Sequence, residues 1–182
     1  MKLKIADRVA NMPPYVFATV EKRIAAQIAQ GKDVINLGIG SPDLAPPKFI
    51  IDELYRSASQ ANTHGYAGYY GTPALRKAIA GYYQRRFGVE LDANTEILPL
   101  IGSKEGLANM ALAFVDAGDI VLASDPGYPT YTMGTLMAGG ATYSMPLHDE
   151  TDWLVDFEEI PADVAAKATL MWLNYPNNPT GA

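Results

Sequence analysis

The chain has 182 residues, no cysteine and a formal net charge of −6, with an isoelectric point near 4.8. That length is enough for a domain with a sizeable core, and a composition 48% hydrophobic and 19% charged excludes a disordered chain. The acidity excludes an electrostatic footprint for nucleic acid or anionic membrane. The missing thiols exclude disulfides, thiolate catalysis and cysteine metal sites; they fit a reducing compartment, and a cytoplasmic location is the expectation.

Met1 to Ala10 alternates charged and small apolar residues, which argues against a secretory signal. No apolar run approaches the ~18–20 residues of a membrane span. Pro13-Pro14 interrupts any early helix. From Tyr15 to Gln30 the spacing is helical, with Val16, Val20, Ile24 and Ile28 on one side and Gly31 as a C-cap. Val34 to Ile39 reads as a short apolar strand, and Ser41-Pro42-Asp43 with Pro46-Pro47 as a turn-rich linker. A domain boundary is placed there: residues 1–47 form an arm, and residues 48–182 form the next domain. A helix is expected from Lys48 to about Ser59. A Gly/Tyr-rich loop runs from His64 to Gly71, and a helix from Thr72 to Phe87 has Thr72 as N-cap and Pro73 in its first turn.

Strands and helices then alternate. Strands are expected at Glu96–Ile101, Ile120–Ser124, Ala141–Pro146 and Thr169–Asn174. Helices are expected at Ser103–Val115, at Thr130–Met137 and within Asp156–Lys167. Such alternation defines βαβ units, an α/β fold with a mainly parallel sheet between helical layers. The strands are short continuous apolar runs, as expected where both faces are covered. The chain stops in a loop just after a strand, where an α/β sheet ordinarily continues into a helix, so a longer parent sequence is expected.

Four segments carry candidate chemistry. Gly102-Ser103-Lys104-Glu105-Gly106 follows a strand and opens a helix. Unpaired N–H groups and the helix dipole favour an anion there, and Lys104 is unfavourable to the dipole unless an anion is near. A plain N-cap at Ser103 explains the same segment. Asp125-Pro126-Gly127-Tyr128-Pro129-Thr130-Tyr131 lies at a strand's carboxyl end, where α/β sheets bind ligands, and its aromatics can stack on a planar group. A Pro/Gly turn covering the core edge is the alternative. Asn174-Tyr175-Pro176-Asn177-Asn178-Pro179-Thr180-Gly181 is a loop stiffened by two prolines, from which Asn178 can donate to a ligand oxygen. An Asx-turn is the plainer reading. His64 to Gly71 holds three tyrosines and three glycines, and serves equally as a functional loop or an aromatic interface patch. His64 and His148 have no metal-ligand spacing, and Trp153 and Trp172 read as packing residues.

Taken together and in this order, the four segments resemble the class I/II aminotransferases of pyridoxal-phosphate (PLP) fold type I. So do Gly38-Ile39-Gly40-Ser41-Pro42-Asp43 and Thr72-Pro73-Ala74-Leu75-Arg76. The resemblance covers essentially the whole chain. It implies a pyridoxal 5'-phosphate cofactor and amino-group transfer between an amino acid and a 2-oxo acid. It implies that residues 1–47 are the arm and part of the small domain, and residues 48–182 the first part of the large domain. The amides of Ser103 and Lys104 would hold the phosphate, Tyr128 would stack on the pyridine ring, and Asn178 would bond its phenolic oxygen. Gly40 would approach the substrate carboxylate. Tyr66 would reach the cofactor of a neighbouring subunit, making a homodimer with shared sites.

Within the family the chain looks most like the LL-diaminopimelate aminotransferase branch, judged from Leu100 to Gly106 and from Asn11-Met12-Pro13-Pro14-Tyr15. The acidic residue of that branch's tyrosine loop is missing from Ala67 to Tyr70, so a neutral or aromatic amino acid substrate is also open. The family's Schiff-base lysine, pyridine-pairing acid and carboxylate-binding arginine follow the Asn-Pro-Thr-Gly loop. None of the eight lysines here does, so no residue of this chain is assigned the catalytic role and the 182 residues alone are expected to be inactive. A β-lyase or decarboxylase of the same fold, a non-catalytic PLP-fold module, and a phosphate-binding domain using the Ser103 helix start alone are the competing readings.

Overall fold

The computed structural model describes residues 3–182; the first two residues of the charged start lie outside it. Cα proximity groups the described residues into two compact units, one made of those up to Pro13 together with residues 100–182 and the other of residues 14–99.

The unit of residues 14–99 is helical. Helix α2 (Val16–Ala29), preceded in the chain by the short α1 (Asp7–Ala10) of the other unit, follows the four-residue apolar spacing and ends before Gly31, whose φ of 79° suits glycine. Helix α3 spans Lys48–Ala58 and α4 spans Pro73–Phe87. The start of α4 is as expected: Thr72 caps it, its hydroxyl accepting from the Leu75 N–H at 3.3 Å, with Pro73 as the first helical residue. Gly88 closes the helix in the left-handed conformation.

Two expected strands do not form. Val34–Ile39 is irregular, and its side chains stay in solvent, with Ile35 81% and Leu37 91% exposed. Glu96–Ile101 is irregular too, although Ile97 and Pro99 are half-buried while Leu98 and Leu100 are exposed. The period-2 side-chain pattern is present in Glu96–Ile101 alone, but a strand also needs a neighbour's N–H and C=O groups, and neither segment pairs with one.

The other unit is α/β. Helix α5 (Ser103–Phe114) leads to β1 (Ile120–Asp125), α6 (Thr130–Ala138), β2 (Ala141–Pro146), the short α7 (Ala162–Ala165) and β3 (Ala168–Trp172). Between β2 and α7 lie two 3₁₀ turns, Asp149–Thr151 and Phe157–Glu159. The sheet order is β2-β1-β3, and both pairings are parallel. Continuous burial holds only for β1, where Val121, Leu122, Ala123 and Ser124 are all buried; β2 and β3, each paired on one side, are partly exposed. The core gathers Ala111 and Val115 of the α5 end against Val121, flanked by Ala138, Leu170 and Trp172. Helices α5 and α6 approach closely because Gly134 has no side chain: a Cβ there would lie 3.3 Å from that of Ala111.

Leu122, 2% exposed in the central strand, is among the largest fully buried side chains. Leu122→Ala is expected to lower the unfolding free energy by about 2–5 kcal/mol, and Thr72→Ala by about 1 kcal/mol, both read from urea unfolding curves.

Candidate cofactor site

Parallel strands release their following loops at the same edge of a sheet. The loop after β1 carries Pro126, Gly127 and Tyr128. The loop after β3 carries Asn174 to Gly181.

The β1 loop is held tightly against its strand. A Cβ on Gly127 would fall 2.2 Å from the Ser124 carbonyl oxygen, so only glycine fits. Tyr128, half-buried, starts an aromatic ladder. Its ring meets Tyr131 edge-on at 5.9 Å, and Tyr131 stacks on Trp172 of β3 at 5.4 Å and 14°. Trp172 is thus the packing residue expected of it, and it backs the turn. Burial of Tyr131, reinforced by Tyr128, raises its phenol above the ordinary tyrosine value.

Helix α5 does not begin with a serine cap. Gly102 is the N-cap, at φ 84° and ψ 157°, and Ser103 is already the first helical residue, so no side chain caps the end. The plain N-cap at Ser103 is therefore excluded by geometry: its hydroxyl sits one position too far along to take that role. Glu105, in the same first turn, reaches backward and accepts from the Ile101 N–H at 2.6 Å. Lys104 places its ammonium 5.8 Å from the centre of the Tyr128 ring, which joins the helix start to the β1 loop.

The β3 loop is tied to the β1 loop by a residue that motif reading left aside. Asn177 is 4% exposed, whereas Asn178 beside it is exposed. The Asn177 side-chain amide donates to the Pro126 carbonyl at 3.3 Å and to the Thr180 hydroxyl at 3.0 Å. Tyr175 adds a second tether, its hydroxyl accepting from the Val155 N–H at 3.1 Å. The peptide bonds before Pro126, Pro176 and Pro179 are cis. The motif flagged the Asn-Asn pair, but only packing distinguishes the inward residue from the outward one.

The α/β unit therefore brings Ser103, Lys104, Tyr128 and Asn178 to one edge. Gly40 and Tyr66 belong to the helical unit; both are exposed, Tyr66 completely. His64 bonds the Ala58 carbonyl at 2.7 Å, in keeping with a structural role. Among the described residues no His/Asp/Glu group is arranged to hold a metal ion, and no helix is long and apolar enough to cross a membrane.

A parallel sheet with loops gathered beyond its carboxyl ends is the architecture of a ligand-binding α/β domain. The chain belongs to the aminotransferase class I and II family, whose model matches residues 32–182. The cofactor of that family is pyridoxal 5'-phosphate. The LL-diaminopimelate aminotransferase of Aquifex aeolicus is 49% identical over 179 residues, covering 98% of this chain and 46% of that protein. The Moorella thermoacetica enzyme of the same name is 51% identical over 177 residues, covering 97% and 45%. Among solved structures, a Thermus thermophilus aspartate aminotransferase mutant superposes with a TM-score of 0.90 at 28% identity, over 100% of this chain and 47% of that one. Substrate-bound BacF from Bacillus subtilis superposes at 0.88 with 37% identity, over 98% and 45%. The chain thus spans about half the length of the relatives it matches.

The Tyr131 environment gives a pH dependence. The fold favours the neutral phenol, so as the pH rises through about 10 the unfolded chain ionises first and stability falls. Unfolding free energy measured from pH 8 to 11 is expected to decline, and Tyr131→Phe to flatten that decline.

Proposed function

We propose that this chain is the N-terminal portion of a PLP-dependent aminotransferase that moves an amino group between an amino acid and a 2-oxo acid. The observation that carries the reading is the meeting of three separate segments at one sheet edge: Lys104 lies over the Tyr128 ring, and Asn177 ties the Asn178 loop to Pro126. The donor set there suits the cofactor. An uncapped helix start with a glycine N-cap offers backbone N–H groups to a phosphate, and Ser103 and Lys104 add a hydroxyl and a cation. Tyr128 offers an aromatic face to a pyridine ring, and Asn178 offers an amide to a phenolic oxygen.

When bound, the cofactor supplies an electron sink for bond breaking at the amino acid's α-carbon. The residues of this chain bind and orient it. The amides of Ser103 and Lys104 anchor one end, Tyr128 fixes the ring plane, and Asn178 fixes its rotation in that plane. Gly40, without a side chain, admits the substrate carboxylate. Tyr66, fully exposed on its loop, reaches the phosphate site of a second subunit in a homodimer with shared sites. Residues 1–47 are the arm and part of the small domain, residues 48–182 the first part of the cofactor-binding large domain, and the enzyme is cytoplasmic. The lysine that bonds the cofactor is supplied from outside these 182 residues.

The relatives named as LL-diaminopimelate aminotransferases make that diamine the first substrate to test. The run Ala67-Gly68-Tyr69-Tyr70 has no carboxylate for a distal ammonium and favours a neutral or aromatic amino acid as the second. Amino-group transfer to a 2-oxo acid, assayed with the full-length protein, separates the two, and no transfer from either class refutes the reading. Asn178→Ala is expected to weaken cofactor affinity by about tenfold. Unchanged affinity supports instead a phosphate site built on the Ser103 helix start alone.

A further inference from the structure

The cofactor contacts proposed so far fall to Tyr128 and Asn178, while Asn177, the most buried polar residue of the β3 loop, joins the two loops without touching the cofactor itself. We propose that Asn177 is a positioning residue that locks the Asn178 loop to the Tyr128 turn, so that the ring-stacking and oxygen-binding groups reach the cofactor as one rigid pair. This inference rests on the reading that Tyr128 and Asn178 face the cofactor.

Asn177 closes the loop on itself with its backbone. Its N–H donates to the Ala182 carbonyl at 2.8 Å, and its own carbonyl accepts from the Gly181 N–H at 2.7 Å. Its side chain then reaches 51 residues back along the sequence to the Pro126 carbonyl. That carbonyl can only accept, so the amide must turn its NH₂ toward it. The same NH₂ takes the Thr180 hydroxyl as a second acceptor. Pro126 precedes Gly127, whose backbone lies so close to the strand that a Cβ would fall 2.2 Å from the Ser124 carbonyl oxygen, and Tyr128 follows directly. A displacement of Asn177 is thereby transmitted to both cofactor-facing residues, one peptide bond away at Asn178 and two residues from Pro126 at Tyr128.

The orientation has a cost that packing alone would not incur. With NH₂ facing Pro126, the Asn177 Oδ1 is buried and has no partner. A leucine of similar size would fill the space without an orphaned acceptor. An amide that tolerates the orphan and keeps the cross-loop bond is what a clip between two loops requires.

The test uses the full-length protein and pyridoxamine 5'-phosphate, which shares the ring and phosphate of PLP but forms no bond to lysine. Dissociation constants and the absorbance maximum of the bound probe are measured for the wild type, Asn177→Ala, Asn177→Ser, Asn178→Ala and the double variants. Asn177→Ala is expected to raise the dissociation constant by about tenfold in the wild-type background and by less than about threefold in Asn178→Ala. It is also expected to shift the absorbance maximum in the same direction as Asn178→Ala. Equal fold-changes in the two backgrounds, or an unshifted band, assign Asn177 to general stability and overturn the proposal. So does loss of folding in both Asn177 variants. A wild-type protein that does not bind the probe overturns the cofactor reading itself, a failure distinct from one confined to Asn177.

Discussion

The parallel pairing of β1 with both of its neighbours is the constraint from which the site follows. Because β2, β1 and β3 run the same way, the Tyr128 turn and the Asn178 loop must emerge together at one edge. The return paths run through helices, and α5 comes close to α6 because Gly134 presents no Cβ to Ala111. That approach lets Lys104, at the open end of α5, reach the ring of Tyr128. Sheet direction, helix contact and site geometry are one arrangement seen at three scales.

Much of this was legible in the residues. The three strands that formed are those whose apolar runs found partners, and helix starts with an unambiguous signal, such as Thr72-Pro73, fell where expected. Glu96–Ile101 failed for a reason no single sequence displays. Its alternation survives as alternating burial, yet strand identity depends on a second chain segment lying alongside. Val34–Ile39 failed similarly, with Ile35 and Leu37 left in solvent. At the site, Ser103 suggested a cap because serine is the usual cap residue. Gly102 takes that place, since its positive φ turns the chain into the helix and excludes larger residues from doing so without strain. Asn177 was hidden by its own neighbour: two identical residues in a rigid loop differ only in which one faces inward.

The acidity of the chain does not oppose an anionic ligand. Charges on exposed side chains are screened beyond roughly 8–10 Å in physiological salt, so the local set decides. At the start of α5 that set comprises the uncapped N–H groups, Lys104 and Glu105. Glu105 carries the wrong sign for a phosphate neighbour, but its carboxylate is occupied with the Ile101 N–H behind the helix start. The cation and the amides are left to face forward.

The β3 loop also shows how an exposed segment is held by hydrogen bonds. Little of it is buried, so hydrophobic packing cannot hold it. Its order comes instead from directional bonds: Asn174 to the Pro176 carbonyl at 2.6 Å, Tyr175 to the Val155 N–H, and Asn177 to Pro126. Each ties a different part of the loop, and the last two reach outside it. Ordering a loop before the ligand arrives removes the entropy cost of ordering it on binding. A loop of this kind holds Asn178 in place while leaving its side chain exposed, which packing the same residue into a core would not allow.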